Sequence, residues 1–331
     1  MLTLVLKRLA SAAVIVVVLA AVVFGLQQLS PLDPVHAMLG GQASQDAIAA
    51  QRVKLGLDRP VAEQFVDYLT GLPTGDLGSS YRTRRPVSTD LTTYLPATAE
   101  LALSALIVAL ALGVLLAASV SLRWKGAALV KGFLLAASST PAFLLGLALI
   151  LVFYKQLGWL PATGRTSLAD APDSPTGLLT IDALLHGRFD AFADAVKHLV
   201  LPSIALAVGP AVAIGRVLAS SILGETDAVY ARTARAQGLT EAQVLRRHVL
   251  RNSLGPALSM TGLQLGLMFA GVLVIEQIFA WPGLGSYVAQ SIPQADFPAI
   301  AGVTLLLGAG YVLINTVVDL LQAAADPRIS V

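Results

Sequence analysis

Six stretches of this chain are apolar over about 20 residues, the length a helix needs to cross the hydrocarbon core of a bilayer. They run near Leu9 to Leu29, Ala97 to Val120, Gly132 to Tyr154, Leu199 to Leu223, Leu258 to Ala280 and Ala299 to Gln322. The pattern predicts an all-α polytopic membrane protein with about six transmembrane helices. Pro202, Gly209, Pro210 and Arg216 interrupt the fourth stretch. That predicts a kinked helix facing the bundle, where neighbours can satisfy freed carbonyls. The first stretch follows Lys7 and Arg8, as a signal peptide would. Its apolar run is long and the A-x-A-like site at Val35 to Ala37 is weak, so a retained helix is expected.

The polar segments between these stretches set orientation. With the amino terminus in the cytosol, the cytosolic segments hold Lys7 and Arg8, then Arg123, Lys125 and Lys131, then Arg232, Arg235, Arg246, Arg247 and Arg251, then Arg328. Segments Ser30 to Pro96, Lys155 to His198 and Trp281 to Pro298 fall on the other side and carry at least as many acids as bases. The positive-inside rule therefore predicts that both termini are cytosolic.

Ser30 to Pro96 carries its own helix signals, with Ser44 as an N-cap, Gly56 as a stop, Pro60 opening a second helix and Gly71 ending it. It reads as an extracytoplasmic cap. The second outer segment holds Gly164, Pro172, Pro175 and Gly177, then a helical pattern from Thr180 through Ala195 leading into the fourth span. With no fixed-period repeat, the domain division is 1–29 as an N-terminal transmembrane helix, 30–96 as the cap and 97–331 as a membrane core.

Composition narrows the chemistry. Of 331 residues, 56% are hydrophobic and 13% charged, against about 25% charged in a soluble domain. Mean hydropathy is +0.74. A net charge of +2, with the basic residues scattered among apolar runs, leaves no nucleic-acid footprint. The absence of cysteine removes disulfides, thiolate nucleophiles, iron–sulfur clusters and cysteine zinc sites. The nearest approach to a P-loop, Gly158 to Thr166, has five residues between its glycines and Arg165 in place of lysine. Any ATP is therefore expected on another polypeptide. His36, His186, His198 and His248 form no H-E-x-x-H, and there is no G-x-S-x-G elbow. His198 reads as an interface residue at a helix start.

The most informative segment, Asp227 to Pro256, lies between the fourth and fifth spans. A helical run stops at Gly238, Thr240 caps a second short helix and Pro256 opens the next span. Ala231, Ala234 and Ala236 make a slim surface that a partner can approach, and Arg232 and Arg235 offer forked donors for carboxylates. Val244, Leu245, Val249 and Leu250 recur at helical spacing among Arg246, Arg247 and Arg251. Such a basic amphipathic element suits anionic lipid as well as a docked protein.

Here the sequence resembles the B-type permease subunits of oligopeptide, dipeptide and nickel ABC importers. Tyr230-Ala-Arg-Thr-Ala-Arg-Ala-Gln-Gly238 is similar to that family's alanine-glycine coupling motif. So, to other family patterns, are Leu55-Gly-Leu-Asp-Arg-Pro60, Gly75-Asp-Leu-Gly78, Leu95-Pro-Ala-Thr-Ala-Glu-Leu101 and Gly158-Trp-Leu-Pro-Ala-Thr-Gly164. Glu276-Gln-Ile-Phe-Ala-Trp-Pro-Gly-Leu-Gly285, Asp296-Phe-Pro298 and Asp326-Pro-Arg328 complete the series, in the family's order and spacing. Leu32 replaces a usual glycine in Pro31-Leu-Asp-Pro34, and Ala219 stands where many members carry an arginine after Arg216.

The resemblance implies a type I ABC importer permease fold with coupling helices at 225–252. It implies that Tyr230, Ala231, Arg232, Ala234, Arg235, Ala236, Gly238 and Leu239 engage an ATPase subunit, which carries the ATP and magnesium while this chain holds no cofactor. It also implies a homologous C-type permease and an extracytoplasmic substrate-binding protein as partners, besides membrane lipid. Di- and oligopeptides are the expected cargo, with nickel, haem or sugar as alternatives within the family. An ion-coupled carrier would instead need paired acids or bases near mid-bilayer, and no convincing pair is visible. A membrane hydrolase would need a nucleophile or metal set.

Single residues carry further expectations. A bare carboxylate at mid-bilayer costs about 3 kcal/mol, so Glu276, near the outer end of the fifth span, should face the bundle, water or a cation. With Pro282, Gly283 and Gly285 it is the candidate outer gate. Asp319 is placed in the headgroup region at the inner end of the last span. Trp159 and Trp281 read as aromatic-belt anchors.

Overall fold

The structure is a computed structural model that describes residues 2–29, 33–39, 43–121, 125–170 and 175–325. Leu32, Arg123, Pro172 and Asp326-Pro-Arg328 lie outside the described residues. In chain order the helices are α1 (Leu2–Leu29), α2 (Pro34–Leu39), α3 (Gln45–Lys54), α4 (Val61–Gly71), α5 (Val87–Ser121), α6 (Ala127–Ser138) and α7 (Ala142–Leu149), the last continued by a π-helical stretch, Ile150–Gln156. They are followed by α8 (Leu179–Leu185), α9 (Phe189–Thr226), α10 (Val229–Ala236), α11 (Glu241–Val244), α12 (Leu250–Ile278), α13 (Leu284–Ser291) and α14 (Phe297–Ala325). The described residues contain no strand, only an isolated antiparallel bridge between Ser79 and Pro86.

All six apolar stretches fall on helices. Among the described residues, four helices are long and apolar enough to cross a membrane: α5, α9, the continuous run Glu241–Ile278, and α14 over Phe297–Leu320. The fifth candidate, α6 with α7, is not the straight span expected from Gly132 to Tyr154; its halves are bent by 110°. Pro141 is the cause, since it lacks an N–H and disfavours helical geometry at Thr140 before it. In α1 the described apolar stretch is Ala13–Leu29.

Two further expectations are corrected. The helical pattern from Thr180 to Ala195 is two helices, broken where Gly187 takes φ +66°. Pro256 does not open the fifth span but lies inside α12, which runs on from α11 through a π-helical turn, Leu245–Val249. A π turn admits an extra residue without ending the helix. α9, by contrast, stays continuous through Pro202 and Pro210 and faces inward as its interruptions suggest. Its apolar window is 72% buried, against 28–33% for the other three long helices, which makes α9 the centre of its surroundings.

The chain divides into two compact units, residues 1–98 with 282–312, and residues 99–281 with 313–331. In the first, Val87, Leu91, Leu284, Tyr287, Ala299 and Val303 form an apolar core. Ser44 caps α3 through Ala47 N at 3.3 Å, and Phe24 of α1 packs on Phe65 of α4 with ring centroids 5.2 Å apart. A buried carboxylate ties the unit's distant segments together. Asp296 accepts from the Ser80 hydroxyl, Tyr81 N at 2.9 Å, Arg82 N at 3.2 Å and Ala299 N at 3.4 Å. Asp90, also fully buried, accepts from Arg85 Nε at 3.0 Å, Arg85 Nη2 at 2.6 Å and Tyr287 Oη at 3.0 Å.

In the second unit, α9 packs along α12 and against α6, α7 and α8. Small residues let backbones meet where α9 crosses α5. A Cβ on Gly215 would lie 2.7 Å from Gly113 O, and one on Gly113 would lie 3.1 Å from Ala211 O. The loop before α8 is stitched to the helices by polar contacts. Glu100 accepts from Arg165 Nη2 at 2.5 Å and from Thr180 N and Oγ1, each at 2.7 Å. Asp194 accepts from Thr166 Oγ1 at 2.6 Å, and Gly164 N donates to Phe279 O at 2.8 Å.

Candidate coupling site

The segment between α9 and α12 is built by local rules. α10 ends in a Schellman motif, with Leu239 N donating to Ala234 O at 3.3 Å and Gly238 N to Arg235 O at 2.9 Å. The motif requires a left-handed residue, and Gly238 supplies φ +87°. Two residues on, Thr240 and Gln243 form a capping box. Gln243 N donates to Thr240 Oγ1 at 3.4 Å and Thr240 N to Gln243 Oε1 at 2.9 Å, which starts α11.

This turn folds α10 back on its own chain. Ala231 and Ala234 are buried in a cluster with Ala117, Leu218, Ala219, Ile222, Val244, Val249 and Ala257, with Leu239, Leu245 and Leu250 packed on it. The small alanines therefore bring α10 close to its own unit, where the sequence suggested a surface open to a partner. The exposed face of α10 is Val229, Arg232, Thr233 and Ala236, extended by Gln237 and Gly238. A shallow hollow on this side is lined by Val229, Tyr230, Thr233, Ala234, Gln237 and His248.

Arg235 is also occupied within the chain. Its Nε and Nη2 reach Glu241 at 2.7 and 3.2 Å, and Nη1 donates to Thr226 O at 3.0 Å. This clasp spans the turn from α9 to α11, so the forked donor expected to meet a partner's carboxylate is Arg232 alone. Tyr230 donates to Glu225, and its ring centroid lies 6.4 Å from that of His248. Burial, and then the Glu225 carboxylate, push the Tyr230 phenol up.

The remaining predicted residues are placed as follows. Glu276 is fully buried within the protein. Pro282 is exposed, while Gly283 and Gly285 are buried; Gly283 precedes α13 and its carbonyl accepts from Tyr287 N at 3.1 Å and Ser286 Oγ at 2.8 Å. Trp281 is 1% exposed, with the Arg165 guanidinium 5.7 Å from its ring centre, so it is a core residue and not a belt anchor. Trp159 is 66% exposed, as an interfacial tryptophan would be. His198 lies inside α9 and is buried in its own unit, with Nδ1 2.9 Å from Gly164 O and Nε2 2.9 Å from Ser167 Oγ. Asp319 is half-buried. The Arg165–Glu100 pair escapes sequence reading, because its 65-residue separation leaves no local pattern.

Comparison with known proteins agrees with this architecture. Residues 109–331 match the family described as binding-protein-dependent transport system inner membrane component, and residues 1–102 match the N-terminal region described for the same membrane components. The chain is 41% identical to the probable D,D-dipeptide transport system permease protein DdpB of Escherichia coli strain K12, over 93% of this chain and 92% of that one. It is 38% identical to the dipeptide transport system permease protein DppB of Alkalihalophilus pseudofirmus, over 99% of both. Identity to the glutathione transport system permease protein GsiC of Salmonella choleraesuis is 35%, over 99% of both. With its helices long enough to span a bilayer and both family regions in order, the chain belongs to the binding-protein-dependent transport system inner membrane components, multi-pass permease subunits of ABC importers in the cell membrane.

Proposed function

We propose that this permease moves di- and oligopeptides inward, paired with a homologous second permease, driven by separate ATPase subunits and loaded by an extracytoplasmic substrate-binding protein. The names of its relatives support the peptide cargo. ATP and magnesium belong to the ATPase subunits, and this chain contributes a helix bundle whose equilibrium is biased by what docks on each side. The single observation that carries the reading is the clasped turn from α10 to α11. It is packed firmly on α9 and α12 beneath yet presents Val229, Arg232, Thr233, Ala236 and Gln237 outward. A rigid element joined to two long helices can transmit a push from a cytosolic ATPase. Pro282, Gly283 and Gly285 serve at an outer gate.

The docking face is tested by Arg232→Glu and by Gly238→Pro. The first reverses charge on the exposed side; the second removes the N–H that bonds Arg235 O and forbids the φ that the turn needs. Both variants should still insert, lose the co-purifying ATPase or its coupling, and cut peptide uptake by roughly ten-fold or more, about 1.4 kcal/mol of coupling. Full uptake by both variants, or transport by this chain alone in liposomes, would sink the proposal.

A further inference from the structure

A cavity of about 200 Å³ lies wholly within the first unit, its wall including Phe24, Leu57, Tyr68, Leu77, Phe297 and Ala301. That is several times the share of one water in the liquid, about 30 Å³, and a space with so apolar a wall takes up hydrocarbon more readily than water. Its place on the helices fixes its surroundings. Phe24 stands near the end of α1, where the apolar stretch Ala13–Leu29 runs out, while Phe297 and Ala301 form the start of α14 and of its span. The cavity therefore sits where two membrane helices meet the bilayer surface, the level at which aromatic side chains gather. The same end of α1 exposes Val22, Leu26 and Leu29, and α4 exposes Val61 and Val66, surfaces suited to acyl chains.

The cavity also carries one pair of opposite charges. Arg59 Nη2 lies 2.6 Å from Asp67 Oδ2, and the two side chains are 49% and 55% exposed, so both reach the surface. The pairing uses only part of the guanidinium fork and one carboxylate oxygen, which leaves donors and an acceptor for a ligand. Arg59 is held in place from two sides. Gly56, at φ +67°, lets the guanidinium lie against its turn, where a Cβ would come 2.9 Å from Arg59 Nη2. Gln64 Nε2 donates to Arg59 O at 2.8 Å. Beside Asp67, the Tyr68 hydroxyl is screened from solvent and has no hydrogen-bond partner among the described residues. Burial pushes its phenol up to about 12, so it keeps its proton and can donate. A buried polar group of this kind calls for a partner. The matching ligand has an anion for Arg59 and Tyr68, a cation for Asp67 and a short length of hydrocarbon for the cavity. A purely anionic headgroup would be repelled by Asp67, and a bare hydrocarbon would leave the charges unused.

We infer that this cavity binds a phospholipid with an ethanolamine headgroup, its phosphate on Arg59, its ammonium on Asp67 and part of an acyl chain in the space walled by Phe24 and Phe297. A lipid held there fastens α4 to the ends of α1 and α14. The site stands apart from the import reading and is tested without measuring transport.

The complete importer is placed in nanodiscs holding phosphatidylethanolamine and phosphatidylglycerol in equal amounts, with a trace of one or the other carrying a photoreactive group near the headgroup end of an acyl chain. Illumination should attach the ethanolamine lipid, in preference to the glycerol lipid, to peptides that contain residues 24–27, 55–68 or 297–301. Arg59→Gln should cut that attachment roughly three-fold or more, the scale of a half-exposed charge contact. Leu57→Trp, which fills the cavity, should cut it at least as far. Asp67→Asn should instead raise attachment of phosphatidylglycerol at the same peptides, a gain that a misfolded cap could not produce. Equal attachment of the two lipids to the unaltered importer, or attachment undiminished in both Arg59→Gln and Leu57→Trp, overturns the inference. Displacement of the lipid by an added oligopeptide overturns it too, since the cavity would then take cargo. If Asp67→Asn gains no phosphatidylglycerol, the carboxylate does not choose the headgroup and the ethanolamine assignment fails.

Discussion

Asp296 shows how much one side chain can hold. Its carboxylate is fully buried and takes hydrogen bonds from a hydroxyl and three backbone N–H groups, two of them from Tyr81 and Arg82 far upstream in the chain. Leaving a buried donor unpaired costs about 1–3 kcal/mol. Asp296→Ala strands several at once, so its thermal midpoint in detergent should fall well below that of the unaltered protein. Asp296→Asn should fall less, because one oxygen remains and the Ser80 hydroxyl can turn to accept. Tyr81 reports on the same knot. Burial first, and the Asp296 charge second, push its phenol up to about 12. A raised pKa stabilises the fold fully below the ordinary tyrosine value, about 10, and that part is lost as pH rises through about 12. Ultraviolet titration of Asp296→Asn should show Tyr81 ionising at lower pH; an unchanged curve would mean the charge has no hold on Tyr81.

At the scale of helices, what the sequence makes readable is local. Ser44, Gly238 and the Thr240–Gln243 pair each act within a turn, and each ends or starts a helix where its chemistry says it should. Pro141 is equally local, yet a 20-residue apolar window averages over it and reports one span. Which way a helix faces is not local. The alanines of α10 have the right size for a partner or for their own chain, and only the packing of Ala231 and Ala234 against Val244 and Val249 decides between them. The crossing of α5 and α9 is similar, since neither Gly113 nor Gly215 names the other. Their contact makes a clear prediction. In Gly215→Ala the new methyl would sit 2.7 Å from a backbone carbonyl, which cannot swing aside as a side chain could. Overpacking of this kind costs about 1–3 kcal/mol. Gly224→Ala, with nothing within 4 Å of its Cβ, is the matched control. The first variant should lower the melting temperature and the second should not; equal behaviour would mean the helices slide apart freely.

For the whole molecule, the hydropathy pattern is enough to show a membrane protein, though four or five of its six stretches are span candidates among the described residues, and the order of short motifs is enough to show its family. The polar pairs that join distant segments were not readable, because burial alone makes Arg165–Glu100 or Asp296–Ser80 worth forming, and burial is a property of the finished fold. That long reach has a consequence for how the protein is made. Ser80 and Asp296 lie 216 residues apart. The ribosome must deliver Asp296 before the knot can be tied, and until then the Ser80–Arg82 donors depend on water. Contacts of such separation form late. A nascent chain stopped at residue 290 should therefore insert its early helices but leave the 79–86 loop open to protease, while one released after residue 325 should protect it. If both are cut alike, the loop is held by something nearer to hand. The permease would thus have its own assembly check, in which a residue just ahead of α14 secures a polar loop whose Ser80 was made 216 residues earlier.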